Sequence, residues 1–172
     1  MDNKNSTLRD IIIGAVIAIV SSVIIQFSTS QYNLYQERKS LESAFHGEIS
    51  SILYIVRARN LPLLVNDAIN NTNKKGRAFF PDFSVKGSYF NVYMNSTQTG
   101  KLGLLKKPLP KEIAIFYTHA GSIVEDLNWM SGVNSSKISK EKALKELLPL
   151  KDALNKVLSI GDKIVSQLEK DS

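Results

Sequence analysis

The stretch IIIGAVIAIVSSVIIQF, residues 11–27, decides how the rest of this chain is read. It carries no charge, and charge stays absent through Gln36. At the α-helical rise of about 1.5 Å per residue it spans about 26 Å, and residues 28–32 add enough length to cross a hydrocarbon core of about 30 Å. Arg9 and Asp10 stop the run on one side; Glu37, Arg38 and Lys39 stop it on the other. Tyr32 and Tyr35 follow, where amphipathic rings favour the headgroup layer. Gly14, Ser21 and Ser22 are tolerable in a spanning helix, since a hydroxyl there can bond back to the helix's own carbonyls.

A cleaved signal peptide is the rival reading of this segment, with Lys4 and Arg9 as its basic region and residues 28–30 as its cleavage site. The apolar run exceeds the usual length of about 7–15 residues, and no A-x-A is present. The expectation is therefore an uncleaved anchor: a short tail over 1–10, a transmembrane helix over 11–30 and a soluble, mainly helical domain over 31–172. Near the membrane Lys4 and Arg9 balance Arg38 and Lys39, so the positive-inside rule gives a tie. Apart from Lys4 and Arg9, every Lys and Arg lies C-terminal to the run. That favours a cytoplasmic domain at the inner membrane, near anionic lipid.

The domain is long enough for one core. A net charge of +6 favours an anionic partner such as a nucleotide or a lipid headgroup. Lysine and asparagine richness can equally reflect an AT-rich genome. The chain has no cysteine and two histidines, which gives neither a disulfide framework nor a metal-ligand spacing.

Hydrophobic spacing organises the domain. Leu41, Phe45, Ile49, Ile52 and Val56 recur every three or four residues, the mark of one buried helical face. Nothing over 31–40 breaks a helix, so the membrane helix is expected to run on into this one and end near Pro62. Pro62 then opens a short helix over 63–70, with 70–76 as a loop. Residues 77–105 are rich in aromatics and punctuated by Pro81, Gly87, Gly100 and Gly103. Strands over 89–94 and 101–105, paired as a short β-hairpin-like insertion, are expected there. Ile113, Phe116, Ala120, Ile123, Leu127 and Met130 form a second helical stripe, with Gly132 as its C-cap. Residues 133–138 read as a polar turn, after which Ser139 caps a last long helix. Its stripe is Leu144, Leu147, Leu150, Leu154, Val157, Gly161, Ile164 and Leu168, and Pro149 is expected to kink or split it.

No catalytic constellation appears. His119 lies one step off the second stripe and lacks a nucleophile and an orienting partner. His46 is in the same position beside Phe45. Gly100-x-x-Gly103 lacks the third glycine of a dinucleotide fingerprint. The domain reads as non-enzymatic, with no cofactor and no metal. What remains is binding. Lys74, Lys75 and Arg77 precede the aromatic segment, Lys86 lies inside it, and Lys101, Lys106, Lys107 and Lys111 follow. Cations neutralise phosphates, and aromatic faces stack bases at about 1–3 kcal/mol each. Tyr89 and Tyr93 are the candidate stacking residues, and Asn91 is a candidate for a base edge. Arg57, Arg59 and His119 are the next candidates. The plain alternative is that the aromatics are core and the lysines solvated loop charges.

The spacing Val92-Tyr93-x-Asn95, Gly103-x-Leu105 and Ile113-x-x-Phe116-Tyr117, behind one N-terminal membrane helix, resembles a pattern in small bacterial single-pass membrane proteins. The layout is also similar to membrane-bound type III CRISPR accessory effectors. That resemblance implies a cytosolic domain without an enzyme motif that binds cyclic oligoadenylate, and a membrane part that acts against the infected cell in antiphage defence. It assigns no ligand residue by position. The first expectation is accordingly a membrane-anchored, homo-oligomeric sensor of a cyclic oligonucleotide, with no long nucleic acid as partner. The rivals are an anchored protein-interaction module and, with reversed orientation, a periplasmic binding domain.

Overall fold

The computed structural model describes residues 3–80 and 89–171, with side chains over 13–80 and 89–170. All regular structure among the described residues is helical: α1 (Asn3–Ala58), α2 (Leu61–Lys75), α3 (Asn91–Gln98), α4 (Leu109–Gly132) and α5 (Lys140–Asp171), with 3-10 turns at Lys101–Leu104 and Ser135–Lys137. The chain divides into two compact units, Met1–Ser40 and Leu41–Ser172. The long first helix follows from its sequence: no proline interrupts 3–58, and α1 ends just before the Asn60–Pro62 punctuation. Asn60 takes a left-handed φ of 51° there, which asparagine tolerates better than most residues.

The first unit is the described part of the chain that is long and apolar enough to cross a membrane. From Ile13 to Phe27 every described large apolar side chain is between 46% and 65% exposed. Each costs about 1.5–3 kcal/mol when left in water rather than buried. Ser22 Oγ donates to the carbonyls of Ala18 (2.8 Å) and Ile19 (2.9 Å), so its hydroxyl is satisfied within the helix.

The second unit is built on α1, α4 and α5. Phe45, Ile49, Ile52 and Val56 of α1 are buried, as are all six residues of the α4 stripe. On α5, Leu147, Leu150, Leu154, Val157, Ile164 and Leu168 are buried, and Gly161 is buried with them. Cross-contacts fix the directions. His46 Nε2 meets Glu169 Oε1 at 3.4 Å and Arg57 Nη2 meets Asp162 at 2.6 Å, so α1 and α5 run antiparallel. Lys163 Nζ meets Glu112 Oε1 at 2.5 Å, closing α4 and α5 into a hairpin around the turn at 133–139. At Gly161 side chains of α1 and α4 press against α5. A Cβ there would fall 2.6 Å from Leu53 Cδ2 and 2.9 Å from Phe116 Cε2.

Four local expectations are corrected. α2 does not stop at Asn70 but runs to Lys75 and ends on Gly76, whose φ of 64° is the left-handed conformation glycine favours. Buried Thr72 explains the extension: its Oγ1 accepts the Phe79 N–H at 3.1 Å, tying the polar last turn to the chain beyond. The hairpin-like insertion is absent among the described residues. Residues 91–98 are the helix α3, and Lys101–Leu104 is a 3-10 turn. α5 is not split at Pro149 but passes through it as one element, with the fully buried Leu147 and Leu150 on either side holding both halves to the core. Gly132 is the last residue of α4 and Val133, in extended conformation, the cap. The Ser139 cap does form, with Lys142 N donating to Ser139 Oγ at 3.2 Å.

Candidate functional site

α3 explains the local chemistry. Its N-cap position is Phe90, whose side chain cannot accept a hydrogen bond. The orphan N–H groups of Val92 and Tyr93 instead donate to Glu48 on α1, at 2.8 and 3.3 Å. A carboxylate here is favoured twice, by the free donors and by the positive end of the helix dipole. The Tyr117 hydroxyl of α4 donates to the same carboxylate. Three segments thus meet on one anionic side chain.

Aromatic rings wrap this junction. Tyr93 stacks on Tyr117 at a centroid distance of 4.3 Å and an interplanar angle of 5°. Phe90 and Phe116 meet Tyr117 edge-on, at 5.4 and 5.1 Å. Burial first, then the Glu48 hydrogen bond and charge and the nearby Tyr93, push the Tyr117 phenol far above its ordinary ionisation range.

The residues named from sequence separate into groups. Tyr93 is committed to the Tyr117 stack, and Asn91 is exposed at the first position of α3. Arg57 is engaged by Asp162. His119 is half-buried on α4 and makes no hydrogen bond or ion pair with a described residue. Arg59 and Tyr89 share one feature, an apolar cavity between α1 and α4 that Ile123 and Leu127 also line. Its volume is about 50 Å³. Ligand pockets run to about 300–1,000 Å³, so this one does not take a nucleotide. Lys86 lies outside the described residues.

Lys74, Lys75 and Arg77 stand apart from these. All three are exposed where α2 ends, and none has an ion-pair partner among the described residues. Lys75 Nζ sits 4.9 Å from the centroid of the Phe79 ring, itself 40% exposed. Phe80, next in the chain, packs edge-on against Trp129 at 5.8 Å. α2 is about 22 Å long, so this cationic end and Arg59 lie at opposite ends of that helix. The cationic end of α2 and the cavity lined by Arg59 and Tyr89 are therefore separate places.

Glu48 is the residue that the sequence reading missed. The available signal was its position on α1 directly beside Ile49, a carboxylate bordering an apolar stripe. Comparison with protein-family models, curated proteins and solved structures returned no match to this chain.

Proposed function

We propose that the protein is a membrane-anchored, non-enzymatic sensor whose helical domain binds a phosphate-bearing ligand. A cyclic oligonucleotide is the ligand class its layout implies. The anchor is the exposed apolar segment of α1, placed in the inner membrane with the domain in the cytoplasm. The observation that carries the reading is the end of α2. Three exposed cations without carboxylate partners among the described residues cluster there, one of them, Lys75, beside the exposed Phe79 ring, and a phosphate with a stacked base requires cations and an aromatic face together. The protein works as a homo-oligomer: a symmetric ligand suits a symmetric assembly, and one helix per chain cannot enclose a pore. Ligand acts by favouring one arrangement of the helices over another.

The test is calorimetric titration of the full-length protein in nanodiscs with cyclic tri-, tetra- and hexa-adenylate and their linear counterparts. A cyclic species binds, more weakly as salt rises. Replacing Lys74, Lys75 and Arg77 together by Ala weakens it at least tenfold, about 1.4 kcal/mol. Absence of binding across the panel refutes the reading.

A further inference from the structure

Residues far apart in sequence form a second basic feature. The hairpin of α4 and α5 brings the segment before α4 against the last turns of α5. Between them lies a cleft of about 320 Å³ lined by Lys106, Lys107, Gln167 and Lys170. It sits at the end of the bundle where α1 begins its part of the second unit, since Glu169, beside Lys170, meets His46 of α1.

Three observations make this more than a patch of solvated charge. Two carboxylates among the described residues of these helices are engaged elsewhere: Glu169 contacts His46, and Glu112 Oε1 contacts Lys163. Lys107 and Lys170 have no ion-pair partner among the described residues. Gln167 lines the cleft, and its Oε1 is buried without a hydrogen-bond partner. An unpartnered buried amide atom on a lining residue is a polar position that the protein itself leaves unsatisfied. Ammonium groups around a concavity bind an anion with several acceptor oxygens. The volume is at the lower limit for a small-ligand pocket, which suits one phosphate-bearing group and excludes an enclosed oligonucleotide ring.

We infer that the Lys106–Lys107–Gln167–Lys170 cleft is a binding site for a single phosphate ester group, independent of the α2 surface and of the reading above. The group comes either from an anionic lipid headgroup or from a soluble phosphate compound.

Lysine reactivity decides this. The full-length protein in phosphatidylcholine nanodiscs is acetylated briefly, and each lysine's rate is read by mass spectrometry. One arm adds 5 mM inorganic pyrophosphate; the other replaces about a third of the lipid with phosphatidylglycerol. Lys107 and Lys170 should slow at least threefold relative to exposed Lys137 and Lys145 in one of the arms. Protection by phosphatidylglycerol alone identifies the lipid source, and protection by pyrophosphate the soluble one. Lys170→Glu should abolish protection of Lys107, and Lys170→Arg should keep it. Both substitutions are at an exposed position and leave the Trp129 fluorescence unchanged. Equal reactivity in every arm, or protection of Lys107 that survives Lys170→Glu, overturns the inference.

Discussion

Replacing Glu48 by Ala tests whether one carboxylate holds α3 to the bundle. The substitution removes the acceptor for the Val92 and Tyr93 N–H groups, which amounts to deleting a helix cap, at about 1 kcal/mol. It also strands the hydroxyl of Tyr117, a residue 3% exposed, and an orphaned buried hydroxyl costs about 1–3 kcal/mol. The expected loss is therefore about 2–4 kcal/mol. Tyr117→Phe removes the donor but leaves Glu48 its two backbone partners, so it costs less, about 1–2 kcal/mol. In the Glu48→Ala background no acceptor remains, and Tyr117→Phe should cost nothing or restore stability. The double-mutant cycle then shows a coupling of about 1–2 kcal/mol. Urea unfolding of the full-length protein in detergent, followed by Trp129 fluorescence, reports the second unit, because this is the chain's one tryptophan. Amide exchange over 91–98 reports α3 itself and should accelerate about 5–30-fold in Glu48→Ala, the factor that 1–2 kcal/mol of local stability represents. Exchange within twofold of wild type, or a coupling below about 0.3 kcal/mol, would show that α3 is held by ring packing alone.

Three further outcomes are expected, two from the structure and the third from the proposed oligomer. Tyr117's raised ionisation means that its contribution to stability is complete below the ordinary tyrosine value of about 10. It is lost as the pH rises further, where the unfolded phenol ionises and the folded one does not; alkaline unfolding curves of wild type and Tyr117→Phe should converge there. Gly161→Ala should lower stability by about 1 kcal/mol, since overpacking against Leu53 and Phe116 outweighs the gain in helix propensity, and Gly161→Leu should lower it several-fold more in the same urea assay. Ala18→Leu, in the centre of the Gly14–Ala18–Ser22 face, should reduce cross-linking between copies in native membranes while the protein stays membrane-bound, and a wild-type chain that cross-links only as a monomer rules out the oligomer.

The helical stripes were legible because burial of one face repeats within a few residues. Phe45 to Val56, Ile113 to Met130 and Leu147 to Leu168 each carry that period, and each is buried on it. Ser139 was legible as a cap for the same reason, since its partner is three residues away. The failures share the opposite property. α3 is short, has Phe90 at its N-cap position and opens within the aromatic and β-branched run Tyr89 to Met94, so by local composition it reads as a strand. Its helix is completed by Glu48, 44 residues earlier, and no local signal announces that cap. The tail of α2 reads as loop from its Asn and Lys content. Thr72 ties it to the chain beyond by bonding to Phe79, seven residues or about two turns on.

The same distinction governs the candidate sites. The cations at 74, 75 and 77 were visible as a cluster because they are consecutive or nearly so, and the structure leaves them exposed together. Arg57 was equally visible but is engaged by Asp162, a pairing that only the antiparallel register of α1 and α5 creates. Tyr93 counted as a stacking platform, and it is one, but for Tyr117 rather than for a base. In the cleft, Lys106 and Lys107 were evident as charges, whereas Gln167 and Lys170 sat unremarked on the far helix. A run of like charge on one segment costs little in water, so the cluster at 74–77 gains its meaning from the exposed Phe79 ring beside Lys75. The informative arrangement is one in which separate helices converge like charges on a concavity while the local acids bond elsewhere, because folding must then hold mutually repelling groups near one another. Such an arrangement would be relieved by an anion, which is the physical ground for the phosphate site inferred at the cleft.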